Sequence, residues 1–517
     1  EMSASLVGSE MCIRDSDSVY PEPYEGWLCI RDNVIVRIGR GSVPEDISRD
    51  TEEFLQFDEE LVMPGITDTH TFFTGYAIFH IGADVSDVTT SKEGLNVLKD
   101  YETAKRTSGA LFGHGWDPGK WSREQGEKML EKYYPDRAVV LFAADRSTCI
   151  MNCRAREEYG FTPESCYPES YYRIMREYLN DRDFIEKEFS DYMTMMNSRG
   201  VTTVKEMGFD DFYGFTDYLK EMEESDRLRL RVFFMSQPVG EKMNLTYARK
   251  MREQFMSDKV RFSGFNRMTD GTIADFKGDL KNSYENEEFT CTLDIPYDEI
   301  EADVLAADAE GFRWSLHAQG DGAVGKIAKI YDKCQKREGK LKNRHAITDM
   351  EFTDPADLEK LGAMGVTAEL YFQIMSLDPA EILLDNIKRT IGLERGRYYW
   401  NRRKMQDAGM ILSGATDLPL MITSVPESIY YSCGGYLDGM EESFQPQNTI
   451  TVTEMLKAWT IGGQKNLSME NKLGTLEEGK LADIVVFDRN LLKVSAHEAK
   501  EASVLMTIMD GKIVYTK

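Results

Sequence analysis

The residues able to do chemistry in this chain are few, and they sit at the ends of apolar runs. His70 closes "GITDTH", His317 lies in "WSLHAQGD", Asp349 ends "HAITD" and Asp417 ends "ILSGATD". Alternate residues of a strand face the same side, so a histidine near a strand end can share an ion with the residue two further on. For His70 that neighbour is Phe72, which has no lone pair to give. The four residues nevertheless make two imidazoles and two carboxylates, a mixed nitrogen and oxygen set suited to Zn²⁺ or a similar divalent ion. Spacing alone leaves a second reading open, in which a lone histidine after an apolar run is a hydrogen-bonded core residue. The chain has only six histidines, so each bears on the question. His345, four residues before Asp349, reads as structural, and His80 and His497 carry no assigned role. His114 in "GHGWDPGKW" lines a pocket or marks a turn. Trp116, with Tyr371 and Phe372, forms an apolar wall or simply packs. Lys205 and Glu206 end "VTTVKE", and which of them points inward depends on where that strand stops.

Those residues need elements to hold them. The runs "AVVLFAA", "VTTVKEM", "LRLRVFFM", "FRWSLHAQG", "HAITDMEF", "VTAELYF" and "MILSGATD" alternate with helical stretches such as "AVGKIAKIYDKCQKREGK". Repeated strand-then-helix units imply a parallel sheet, and an eight-stranded (β/α)₈ TIM-like barrel is the expected α/β fold. In a barrel, His317, Asp349 and Asp417 would then face the mouth, where such folds do their chemistry. Short β-rich runs at both ends, "GWLCIRDNVIVRIGRG" and "VLMTIMDGKIVYTK", carry hairpin signals at Asp32-Asn33 and Asp510-Gly511. They predict a small β-sandwich assembled from both chain ends, residues 17–60 and 470–517, around a barrel over 61–469. Residues 1–16 have no coherent periodicity and resemble adapter-derived translation, so the fold is read without them and the true N-terminus is expected to be missing.

Composition narrows the functions. The 62 basic against 89 acidic residues give a formal charge of −27, which repels phosphate backbones and anionic lipid, so no nucleic-acid or membrane role is expected. No apolar run is long enough to span a bilayer, and the expected location is cytoplasmic. The eight cysteines are scattered and read as reduced.

In order along the chain, "VMPGITDTHTFF", "GHGWDPGKW", "SRGVTTVKEMG", "RMTDGTIADF", "WSLHAQGDGAV", "RHAITDME", "SGATDLPL" and "KLGTLEEGKLADIVVFDRN" resemble the amidohydrolase superfamily, and most closely its family 3 branch of N-acyl and N-formyl amide hydrolases. The resemblance runs from about Gly26 to the end. It implies a metal-dependent hydrolase of non-peptide carbon–nitrogen bonds. His70, His317 and Asp417 match metal-site positions, and Asp417 matches the aspartate that deprotonates metal-activated water. It also marks departures: Phe72 replaces the second histidine, Asp349 replaces a histidine, Asn266 stands where a lysine is often found, and Ser147 stands at another histidine position. One divalent ion is therefore expected, Zn²⁺ first with Mn²⁺ or Fe²⁺ as alternatives, held by His70, His317, Asp349 and Asp417. Asp417 and His317 are the expected catalytic groups, and His114, Trp116, Lys205 and Glu206 the expected contacts to a small-molecule substrate. A homodimer is the prior assembly. Two rival readings remain: a degenerate barrel that binds a small molecule without hydrolysing it, and an isomerase or lyase working through the carboxylates.

Overall fold

Eight mostly buried strands carry the sequence-marked polar residues near or just after their C-terminal ends. In a computed structural model, which describes residues 4–11, 24–50, 53–105, 109–145, 148–166, 173–174, 177–207, 215–237, 242–421 and 424–517, they form one parallel sheet. In barrel order they are Ile66–Thr71, Val201–Glu206, Arg231–Ser236, Val260–Met268, Trp314–Ala318, Ala346–Asp349, Thr367–Tyr371 and Ile411–Ala415. The first and last strands close the ring through a parallel bridge between Thr71 and Leu418. Asp417 N donates to His70 O at 2.9 Å, and Thr69 Oγ1 donates to Gly414 O at 2.8 Å. The register sets His317 beside Thr348 and Ala318 beside Asp349, so the sequence-marked strand ends share one rim.

Helices such as Asp321–Asp332 and Pro355–Met364 return the chain between strands. The second of these is capped by Asp354, whose side chain accepts from Ala356 N, has Pro355 in its first turn, and stops at Gly365 in the left-handed region. Each stop or start signal is written in the residues themselves.

Strands from both ends of the chain build a second sheet of eight strands. Its path runs Lys512–Thr516, Val504–Met509, Ile484–Phe487, Leu61–Pro64, Ala4–Met11, Tyr24–Arg31 and Val34–Arg40, with Phe54–Gln56 paired to Ala4–Met11. Leu28, Ile30, Val62, Ile484, Val486 and Ile508 form its core. Ala4–Met11 lies within the residues set aside in the sequence reading, yet it pairs antiparallel along Tyr24–Arg31. Both expected hairpin turns form. Asp510 and Gly511 take φ of 54° and 77°, the pattern of a tight hairpin turn.

One expected barrel strand belongs elsewhere. "AVVLFAA" becomes Val139–Ala143 in a separate four-stranded sheet with Ala83–Asp84, Leu111–Trp116 and Cys149–Met151. This sheet lies in a second compact unit, residues 72–192 with 211–221, and has its own core of Leu98, Trp116, Trp121, Leu130, Val139 and Ile150. The barrel strand absent from the sequence reading is Val260–Met268, whose "VRFSGFNRM" mixes polar residues into the run. Among the described residues no helix is long and apolar enough to cross a membrane.

Candidate active site

The strand ends bring His70, His317, Asp349 and Asp417 to the barrel rim as two imidazole–carboxylate pairs. His70 Nε2 lies 3.5 Å from Asp417 Oδ1, and His317 Nε2 lies 3.1 Å from Asp349 Oδ2. Both aspartates sit on backbone in the left-handed region, with φ of 79° at Asp349 and 52° at Asp417. Aspartate tolerates that conformation better than most residues, and here it turns the carboxylate off the strand direction. Asp417 caps no helix, because the next one, Val425–Ser428, begins after Ser424. The side chains of His70 and Asp349 are 4% exposed, whereas His317 and Asp417 keep 13% and 23%, so the latter two are the groups that solvent reaches.

Each imidazole also has a carboxylate behind it. Glu369 Oε2 lies 3.7 Å from His70 Nδ1, and Asp270 Oδ1 lies 3.8 Å from His317 Nδ1. Asp270 is fixed by backbone N–H groups of Asp279, Gln319 and Gly320, each at 2.9 Å. Asp349 accepts a further bond from Gln319 Nε2 at 2.7 Å. Under His70, Asp68 accepts from Thr416 Oγ1 at 2.6 Å and Thr416 N at 3.1 Å, tying the first strand to the last.

The electrostatics of this cluster are lopsided. Burial, then the nearby Asp349 and Asp68 charges, push Asp417 up to about 8, with His317 and the Tyr371 hydroxyl working against the rise. Burial lifts Asp270 to about 6 and Asp68 to about 7, where Glu206 adds to the rise. Glu351 is raised too, by burial and then by Asp349. Burial opposes the charging of His317, but Asp349, Asp270 and Asp417 outweigh it and hold the ring at about 9. His70 is driven toward the neutral form, chiefly by burial. Buried acids thus outnumber the positive charge close to them, the imbalance a bound cation relieves.

The donor chemistry suits one divalent ion and not two. Asn266 donates to Gln237 Oε1 at 3.0 Å and offers no amine to bridge a second ion. Phe72 follows the first strand as the half-buried residue preceding the helix Phe73–Ile78. Ser147 lies outside the described residues. Within the described residues, Asp308, Cys334 and His345 are the one group of three potential ligands whose atoms lie within 4.8 Å of one another, so the rim residues form two facing pairs, not a tight cage. The tighter group is not a metal site. His345 Nδ1 accepts from Trp314 N at 3.0 Å, so it carries no proton; Nε2 therefore keeps the proton and donates to Asp308 at 2.9 Å.

The expected substrate contacts divide. Lys205, the next-to-last residue of its strand, is fully buried and bonded to Glu369 and to Ser315 Oγ at 3.0 Å, so it is committed inside the barrel and not offered to a ligand. The strand stops at Glu206, where the sequence reading ended it, and the lysine side chain turns into the barrel. Glu206 is also fully buried, close enough to Asp68 to act on its charge. His114 and Trp116 lie in the second unit. His114 Nδ1 pairs with Ile81 O at 3.1 Å, and Trp116 is core, its Nε1 donating to Trp121 O at 3.1 Å. Phe372 packs on Trp459, while Tyr371 reaches the site. Sequence reasoning missed Asp68, Asp270 and Glu369. For Glu369 the available signal was an acidic residue inside an otherwise apolar strand, "VTAELY"; Asp68 lies in the polar run "ITDTHT" and Asp270 in the loop after Met268.

A family model described as "Amidohydrolase family" matches residues 58–515. The protein LONG AFTER FAR-RED 3 of Arabidopsis thaliana is 21% identical over 551 aligned positions, covering 99% of this chain and 92% of the relative. The putative amidohydrolase YtcJ of Bacillus subtilis (strain 168) is 18% identical, covering 91% of this chain and 92% of the relative. An uncharacterized metal-dependent hydrolase from Pyrococcus furiosus has the same fold, with a TM-score of 0.72 at 20% identity over 95% of this chain and 100% of that one.

Proposed function

This chain belongs to the amidohydrolase family, and from that premise we propose that it hydrolyses a carbon–nitrogen bond of a small amide, N-acyl or N-formyl compound at a centre that takes one divalent ion. The carrying observation is the pair of facing imidazole–carboxylate contacts, His70 with Asp417 and His317 with Asp349, set among buried acids that lack a matching cation. These four side chains would hold the ion, Zn²⁺ first and Mn²⁺ or Fe²⁺ next. Bound there, a divalent ion supplies Lewis acidity, which lowers the pKa of water and polarises a carbonyl.

The remaining work falls to the chain. Asp417 is the more exposed of the two rim carboxylates, and its Oδ1 takes the proton from the attacking water and later delivers it to the leaving nitrogen. Asp270 holds His317 from behind, so that ring keeps its Nε2 toward the reaction space. Tyr371, hydrogen-bonded to Asp417, fixes the carboxylate's direction. The family alone does not name the substrate, since specificity resides in the loops beyond the strand ends.

The test is a metal measurement followed by turnover. After removal of adventitious metal and reconstitution with Zn²⁺, Mn²⁺ or Fe²⁺, the purified protein should hold about one equivalent, and the loaded form should release amine from one of a panel of N-acyl and N-formyl amines. Retention below about 0.2 equivalents for every ion would sink this reading and leave a binding protein built on the same barrel.

A further inference from the structure

One layer below the rim, the barrel holds an ion pair for which the metal chemistry above has no use. Lys205, on the second strand, and Glu369, on the seventh, meet at the barrel axis, both fully buried. The two oxygens of Glu369 have different company. Oε1 takes Lys205 Nζ, Ser315 Oγ at 2.9 Å and Asn466 Nδ2 at 3.0 Å, with Arg313 Nη2 at 3.5 Å. Oε2 takes Thr348 Oγ1 at 2.8 Å and is left facing His70 Nδ1 at 3.7 Å. Three donors therefore pin one oxygen and aim the other.

We propose that the Lys205–Glu369 pair is a positioning device for His70: it draws the ring proton to Nδ1 and leaves the Nε2 lone pair directed at the rim, toward Asp417. This rests on the reading of His70 as an ion ligand. The structure contains its own contrast. His345 has a backbone N–H against Nδ1, which forces the proton onto Nε2 and disqualifies that nitrogen as a ligand. His70 has carboxylates at both nitrogens, Asp417 before Nε2 at 3.5 Å and Glu369 behind Nδ1 at 3.7 Å. Only Glu369 is fully buried and fixed by donors, so it is the permanent acceptor for a ring proton, while Asp417 is open to solvent and to an ion. A ligating imidazole needs the second arrangement, and its outer partner then sets ring orientation and basicity.

Glu369→Gln makes the test sharp because the amide is not symmetrical. Its oxygen stays with the three donors at the Oε1 place, so its NH₂ replaces Oε2 and faces His70 as a donor. With histidines labelled with ¹⁵N and the His70 signal assigned by its loss in His70→Gln, the spectrum of the metal-free protein at pH 8 reads the tautomer directly. The expected result is Nδ1–H in the wild type and Nε2–H in Glu369→Gln, with Zn²⁺ affinity, measured by chelator competition, weaker by about 10–100-fold in the variant. Nε2–H in the wild type, or Nδ1–H unchanged in the variant, overturns the proposal, as does an unaltered Zn²⁺ affinity in a variant that folds. Should the variant fail to fold, the wild-type spectrum alone decides. A wild type with Nδ1–H that binds no divalent ion would overturn the metal reading of the previous section and leave the positioning role standing.

Discussion

At the scale of single residues, the molecule sorts its histidines by what stands behind each ring. His70 and His317 are backed by carboxylates, Glu369 and Asp270, and point their other nitrogens at rim aspartates. His345 is backed by an N–H and ends in a closed hydrogen-bond chain to Asp308. Residue type alone does not make that distinction; the partner does. Two substitutions test the assignment. Asp417→Asn keeps size and removes the proton acceptor, so kcat should fall by about 10²–10⁴-fold. His317→Ala should abolish turnover by removing both a ligand and the ring that Asp270 holds. Neither should unfold the protein, because both residues sit at the barrel mouth. Asp417→Asn also relieves crowded negative charge, whereas His317→Ala takes away the ring that compensates Asp349, Asp270 and Asp417, so its melting temperature should fall the further of the two. Activity near the wild-type level in either variant would reject the roles given to them.

At the scale of elements, the barrel was readable and its membership was not. Seven of its eight strands announce themselves as short runs, all but Val260–Met268, and the four rim residues are visible because each ends or lies late in such a run. "AVVLFAA" has the same signature, yet Val139–Ala143 pairs with Leu111–Trp116 in another sheet. Hydrophobic periodicity reports that a strand is buried and is silent about which sheet buries it. The pairing of Glu369 with Lys205 was illegible for a related reason: a charged residue in a strand does not show its partner until the register across the barrel closes the two together, 164 positions apart. Helix packing depends on equally unadvertised fits. Gly362, in the helix Pro355–Met364, lies so close to the next helical connection that an added Cβ would stand 1.9 Å from Ala408 O. That neighbour is backbone and has nowhere to rotate. Gly362→Ala should therefore destabilise the protein by about 1–3 kcal/mol despite alanine's better helix propensity, seen as a lower midpoint in urea. A neutral or stabilising result would show that the two segments can slide apart.

At the scale of the whole chain, the two ends are held together and to the barrel by one buried guanidinium. Arg231, on the third barrel strand and without exposed surface, donates through Nη2 to Asp483 Oδ1 at 2.8 Å and Asp510 Oδ1 at 2.9 Å, and through Nε to Asp483 Oδ2 at 2.9 Å. Asn33, from the opposite end of the chain, reaches Asp510 at 3.0 Å, and the tight turn at Gly511 fits only because no Cβ stands where Asp32 O lies 2.0 Å away. Replacing one member of such a set strands the others. Arg231→Met should cost about 3–5 kcal/mol, because the buried Asp483 loses its cation and the half-buried Asp510 keeps only Lys259, at 3.0 Å. The acid response follows from the same contacts. Burial pushes Asp510 up, but Arg231, Lys259 and Asn33 outweigh it and hold the carboxyl below its ordinary value of 3.8. The folded state then binds that proton more weakly than the unfolded state, so the contribution is present above the ordinary value and is lost as pH falls through the lower, folded one. Wild-type melting temperature should accordingly drop more steeply than that of Asp510→Asn between about pH 5 and pH 2, with the variant the less stable of the two at pH 7. Parallel acid curves would mean that the termini are joined by their apolar core alone and that Arg231 only fills space beneath them.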